Sequence, residues 1–232
     1  MSQQKTFLFA GASSAIAKET SLLLQSKGHR VIGISTKSDH GNYDDLYEVI
    51  NYDFGSFPAI EEKIDGMVYF PGTINLKPFG RLSAAEFRTD YEINALGAVA
   101  FAQAYLKNLK MVDHASIVFI SSVAASTGLP FHASISMAKG AIEALSKSLA
   151  AELAPNIRVN CIAPSLVSTP LGNKFLNTPE KIELMEKRNP MHKIGAALDI
   201  ANAVSFLLLD ESAWMTGQVM AIDGGMNHLK NG

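Results

Sequence analysis

Apolar residues in this chain fall into short continuous runs separated by longer stretches of helical periodicity. Thr6 to Ala10 (TFLFA), Met67 to Phe70, Ile117 to Ile120 and Asn156 to Pro164 (NIRVNCIAP) read as strands. The run Ile117, Val118, Phe119, Ile120 has no polar alternation and a high β-branched content, the composition of a strand covered on both faces. A shorter strand is expected over Glu48 to Asp53 (EVINYD), after a polar, Tyr-rich stretch at 38–47 that contains the turn signal Gly41-Asn42. Between the first runs, Ile16, Thr20, Leu23 and Leu24 recur at helical spacing, and Lys27-Gly28 supplies a C-terminal cation and a glycine cap. Strand, turn, helix and second strand from Thr6 to Ser35 therefore make a βαβ unit.

The same alternation continues along the chain. Ser83-Ala84-Ala85-Glu86 is a capping box opening a helix that runs to about Lys110. A helix from about Ser134 to Leu153 carries Ala138, Ile142, Leu145, Leu149 and Leu153 at core spacing, with Ala141 and Ala144 leaving room for close packing. Asp199 to Leu209 is amphipathic. The expected fold is α/β: one doubly wound parallel sheet of Rossmann type with helices on both faces, a single domain over residues 1–232. Residues 168–196 break the βα rhythm and are expected as a lid-like insertion.

With 232 residues and 47% hydrophobic content, the chain can bury a large core. A formal net charge of −2 offers no basic field for nucleic acid or for an anionic membrane surface. Cys161 is the only cysteine, so no internal disulfide can form. In RVNCIAP it reads as an inert core thiol, and a reducing cytoplasm is the expected compartment. Neither a signal-type segment nor a run of about 20 apolar residues is present. No metal-ligand cluster is read from the sequence.

The stretch IVFISSVAASTGLPFHASISMAK (117–139) resembles the short-chain dehydrogenase/reductase family. That family carries a Ser at the strand end, a Tyr thirteen residues later and a Lys four beyond that. Counting back from Lys139 places the serine at Ser122 and puts Ile135 at the tyrosine position. YEINALGA matches the family helix that carries a structural and catalytic Asn, here Asn94. MTGQVMAIDGG resembles the family's last strand and its exit, so the likeness covers nearly the whole chain.

The resemblance implies a nicotinamide dinucleotide cofactor. The family turn TGxxxGxG appears here as Ala10 to Ala17, keeping Gly11 and placing Ala15 and Ala17 at the other glycine positions. Small residues let the backbone approach a pyrophosphate lying on the N–H groups that open the helix, with Ser13, Ser14 and Ile16 in the turn. A plain strand-to-helix connection is the alternative reading. Beyond the second strand the chain has Ser35, Thr36 and Lys37 where an acid would favour a ribose diol, which suits a 2′-phosphate and hence NADPH over NADH. Asp53, with Phe54, matches the family's adenine contact, a helix N-cap being the other reading of Asp53. Pro71-Gly72 stands in the family's Asn-Asn-Ala-Gly loop, keeping only Gly72. Pro164, Val167 and Thr169 match the segment beside the nicotinamide.

The family chemistry joins hydride transfer to proton exchange through Tyr, tuned by Lys, with Ser positioning the substrate oxygen and Asn holding a water. Ser122, Lys139 and Asn94 keep their places, whereas Ile135 carries no proton. A branch of enoyl-acyl-carrier-protein reductases places its Tyr seven residues before the Lys, and that position is His132, an imidazole able to exchange a proton near neutrality. A solvated or capping histidine is the other reading. Three functions follow. The first is an NAD(P)H-dependent reductase of a carbonyl or activated double bond in a small, apolar substrate with a non-standard proton donor. The second is an inactive NADP-binding sensor or partner subunit, and the third a non-redox enzyme such as a dehalogenase or lyase. The resemblance also implies a homodimer or homotetramer.

Overall fold

The computed structural model describes residues 3–38 and 41–229; the expected turn stretch at 38–47 therefore includes two residues, Asp39 and His40, that lie outside the described part. Seven strands form one wholly parallel sheet, β1 (Thr6–Ala10), β2 (Arg30–Ser35), β3 (Asp45–Glu48), β4 (Gly66–Tyr69), β5 (Ala115–Ile120), β6 (Ile157–Pro164) and β9 (Val219–Ile222). Their spatial order is β3-β2-β1-β4-β5-β6-β9. The chain winds outward from β1 in one direction, then returns through β4 to wind in the other. The carboxyl ends of β1 and β4 therefore flank a switch point, the crevice where open α/β sheets bind ligands. The remaining pair, β7 (Val167–Ser168) and β8 (Gly195–Ala196), forms a small separate ladder.

The side-chain alternation of each strand feeds two cores. Phe7 and Phe9 of β1, with Val68, Val118 and Ile162, pack under α1 (Ala15–Ser26) and α6 (Ala197–Leu208) through Ala17, Leu24, Ile200, Val204 and Leu207. Leu8 and Ala10, with Met67, Ile117, Phe119 and Val159, face the opposite layer. That layer is α3 (Gly97–Leu109) and α4 (Ala133–Leu153), which contribute Phe101, Tyr105, Ile142 and Leu153. Both faces are covered, as the continuous apolar strands require.

Two expectations are corrected. The third strand is Asp45–Glu48, not Glu48 to Asp53: Asp45, Leu46, Tyr47 and Glu48 pair with Ile32 to Ser35, while Ile50 is 97% exposed. An apolar side chain in solvent gives no core face to align, so register passes to Leu46, which packs beside Gly33 of β2. The helix opened by Ser83 is also not uniform. It comprises α2 (Ala84–Tyr91), a π turn at Glu92–Leu96, and α3. Ser83 and Glu86 form the reciprocal capping box as the sequence implies. The π turn holds Asn94, and the buried Tyr69 hydroxyl donates to the carbonyl of Ile93 within it (2.7 Å). A Cβ on Gly97 would lie 2.1 Å from that hydroxyl oxygen, so the chain needs glycine where the turn ends.

Residues 167–196 leave the sheet. They hold β7, a short 3-10 turn, α5 (Pro179–Arg188) and β8. No residue of α5 is buried, and Thr178 caps it by accepting from the Lys181 amide. No described helix is long and apolar enough to cross a membrane.

Candidate active site

One side of the switch crevice is built from main chain. Gly11 has φ +80°, and a Cβ there would sit 2.9 Å from Pro71 Cδ, so both conformation and contact select glycine. The amides of Gly11 and Ala12 both donate to the Ile34 carbonyl (2.9 and 3.0 Å), locking the turn to β2. Ser14 is the N-cap of α1 and its hydroxyl makes no capping bond. Ser13, Ser14, Ala15 and Ile16 are partly open, while Ala17 is buried against the sheet, where a small residue is needed. Free amides and small residues at a helix start form an anion cradle.

Past β2, Ser35 is buried and its hydroxyl accepts from the Lys37 amide (3.0 Å), leaving the Thr36 and Lys37 side chains exposed. Asp53 and the 58%-exposed Phe54 lie in the turn after β3 rather than on a strand. Beside them stands Tyr52, which sequence reading did not single out. Its hydroxyl accepts from the Thr36 amide at 3.2 Å.

The other side is built from side chains. Lys139 is buried on α4, and its ammonium donates to the Ile120 carbonyl at the end of β5 (2.8 Å). Burial pushes its pKa down to about 8, partly offset by Cys161, whose own burial raises its thiol to about 12. Asn94 Oδ1 and Lys139 Nζ lie 3.1 and 3.3 Å from the place a Cβ on Gly72 would take, so Gly72 leaves room for both. The Asn94 amide donates to the Asp90 carbonyl and the Thr73 hydroxyl (both 2.8 Å). Thr73 and Ser134 hydroxyls in turn donate to the buried Asp90 carboxylate, each at 2.6 Å. Asp90 and Thr73 were not legible as site residues, because a lone acid in a helix reads as surface.

Ser122 ends β5 as the cap of a 3-10 turn, accepting from the Ala124 amide (3.2 Å). Its neighbour Ser121 is the one that reaches α4, through the Lys139 carbonyl and Glu143. Ile135 is buried on α4, one turn before Lys139. His132 stands at the N-cap of α4 with Nδ1 2.7 Å from the Pro130 carbonyl. Pro164 closes β6, Val167 is buried at the start of β7, and the Thr169 hydroxyl accepts from the Gly172 amide (3.2 Å). Between the loops after β4 and β5 opens a cavity of about 390 Å³, lined among others by Lys77, Phe79, Ser126, Thr127, Phe131 and Ser136. Neither His132, Ser122 nor Lys139 lines it. Among the described residues, no cluster of His, Cys, Asp and Glu could hold a metal ion.

A parallel sheet wound both ways from a glycine turn, with Asn94 and Lys139 meeting at Gly72 beside its switch point, defines a dinucleotide-binding α/β protein. The family model for enoyl-(acyl carrier protein) reductase matches residues 54–227. The peroxisomal 2,4-dienoyl-CoA reductase of Saccharomyces cerevisiae is 32% identical over 197 residues, 80% of this chain and 67% of that protein. L-Xylulose reductase of Mus musculus is 30% identical over 94% of both chains. A gluconate 5-dehydrogenase from Burkholderia cenocepacia, in complex with NADP and tartrate, superposes with a TM-score of 0.89 at 21% identity, covering 97% of this chain and 96% of its own, a likeness of fold. The chain belongs to the short-chain dehydrogenase/reductase family, and with it to the NAD(P)-dependent oxidoreductases.

Proposed function

We propose that this protein reduces a carbonyl or an activated double bond of a small, largely apolar substrate, taking hydride from NADPH without the family's tyrosine. The observation that carries this reading is the approach of both Lys139 Nζ and Asn94 Oδ1 to Gly72, one helical turn from an apolar Ile135. Burying a lysine costs free energy, and α4 keeps it buried beside a π turn, a distortion frequent at functional sites.

When bound, the reduced nicotinamide supplies the hydride. Gly11, Ser13, Ser14 and the amides opening α1 hold the pyrophosphate, and Thr36 with Lys37 receives the 2′-phosphate, which favours NADP over NAD. Asp53, Phe54 and Pro71 line the adenosine end; Gly72, Pro164, Val167 and Thr169 line the nicotinamide end. Lys139 binds the nicotinamide ribose, and Ser122 donates to the substrate oxygen. With its pKa near 8, the Lys139 ammonium can give a proton to a water held by Asn94 at neutral pH. His132 is the alternative donor, provided its ring leaves the Pro130 carbonyl. The relatives' names point to enoyl thioesters and sugar ketones. The cavity between Phe79 and Phe131, with the Ser126, Thr127 and Ser136 hydroxyls on its wall, suits a short apolar chain ending in a polar group. We further propose a single domain with 168–196 as its lid, a homodimer or homotetramer, and a cytoplasmic location.

The test is turnover of NADPH against a panel of carbonyl and enoyl substrates, with Lys139→Met and Ile135→Tyr. The reading expects activity that Lys139→Met removes. A wild type that binds NADPH yet stays silent, and gains carbonyl reduction on Ile135→Tyr, favours the second reading, an NADP-binding sensor or partner subunit. The specific observation behind that second reading is Ile135 itself, fully packed where a proton donor is needed.

A further inference from the structure

Tyr52 occupies a place where a ligand oxygen is expected. Thr36 is the first residue past β2, the position that reads the adenosine ribose in dinucleotide folds. Its amide donates to the Tyr52 hydroxyl at 3.2 Å, while the neighbouring Gly11 amide is committed to the Ile34 carbonyl (2.9 Å). A main-chain donor at the mouth of the crevice is thus turned onto one phenolic oxygen. That oxygen accepts from the Thr36 amide and also meets the Thr36 hydroxyl, so its single hydrogen can turn from Thr36 to an incoming ligand oxygen.

The ring cannot swing freely. It stacks on Phe57 (centroids 6.2 Å apart, 28° between planes) and meets Tyr69 edge to face (6.0 Å, 80°). The hydroxyl is therefore held at one point, on the Thr36 amide. Burial raises the phenol's pKa, against the lowering effect of the Thr36 and Gly11 contacts, so the group stays a neutral O–H donor at physiological pH. A neutral donor beside a lysine accommodates a phosphate dianion, which an acid in this place would repel.

We propose that Tyr52 is a specificity-determining residue for the cofactor: its hydroxyl donates to the 2′-phosphate of NADPH, alongside Lys37. This rests on the reading of the crevice as an NADPH site. It assigns the recognition to a residue carried by the β3 exit rather than by the β2 end alone, and it explains why an aromatic stack braces a loop residue.

The experiment measures dissociation constants for NADPH and NADH, by nicotinamide emission, in wild type and in Tyr52→Phe, which keeps the ring stack. A hydrogen bond to a charged group predicts that Tyr52→Phe weakens NADPH about tenfold and NADH by less than about twofold. Equal weakening of both nucleotides, or of neither, overturns the assignment, because a hydroxyl that merely braces Thr36 serves both cofactors alike. Competition by 2′,5′-ADP against ADP gives the same readout on the adenosine end alone: loss of the 2′,5′-ADP preference in Tyr52→Phe supports the role, and its retention overturns it. If wild type binds neither nucleotide, the crevice reading falls and this assignment with it, an outcome distinct from a binding wild type that Tyr52→Phe leaves unchanged.

Discussion

The two banks of the crevice tolerate change differently. On the Gly11 bank the family's second and third turn glycines are alanines, yet the turn keeps its φ, its bonds to Ile34 and an uncapped helix start. On the Lys139 bank, in the site proposed above, a buried Ile135 stands one turn before the lysine, and its side chain carries no proton to exchange. In the proposed site the first bank would bind through main-chain amides, which survive replacement of one small side chain by another. The second works through the chemistry of individual side chains, so one substitution changes what it can do.

Gly11→Val attacks the first bank where it has no tolerance. A β-branched residue at φ +80°, 2.9 Å from Pro71, is expected to abolish binding of both nucleotides and to cost about 2–4 kcal/mol of stability, read by titration and chemical denaturation. Lys139→Met attacks the second, and turnover should fall by about 10²–10⁴ while the fold persists. Its stability should move the other way. The folded-state pKa of Lys139 is about 8 against an ordinary 10.5, so between those values the unfolded chain binds a proton that the folded chain does not. Wild-type stability should therefore rise as pH climbs from about 8 to 10.5, by on the order of 3 kcal/mol, and Lys139→Met should flatten that rise in urea melts taken across the window. Ile135→Tyr sharpens the contrast: if the rest of the bank is intact, carbonyl reduction should increase about tenfold or more. His132→Ala is expected to change turnover by less than about threefold if Lys139 and water carry the proton, and by about tenfold or more if the imidazole does.

The fold was legible because its signals are redundant. Phe7 to Ala10, Met67 to Phe70 and Ile117 to Ile120 are each too apolar for a surface strand, and the capping box at Ser83 announced its helix without help from packing. The third strand was misplaced because EVIN mimics a strand while Ile50 points to solvent, and register there is decided by tertiary pairing with β2. The π turn around Asn94 was hidden for a similar reason: it is set by Tyr69 reaching the Ile93 carbonyl from another strand. Site residues with fixed spacing to Lys139 could be counted off. Asp90, Thr73 and Tyr52 could not, since each gains its role from a partner distant in sequence, Ser134, Asn94 and Thr36 respectively.

The most direct test of the central claim is a titration of the purified protein with NADPH and with NADH, following nicotinamide emission rather than Trp214, which is wholly exposed. The account predicts saturable binding of both with a preference for NADPH. Absence of binding at millimolar nucleotide would mean that Pro71 and the alanines of the turn have closed the crevice, and hydride transfer by this chain would be contradicted.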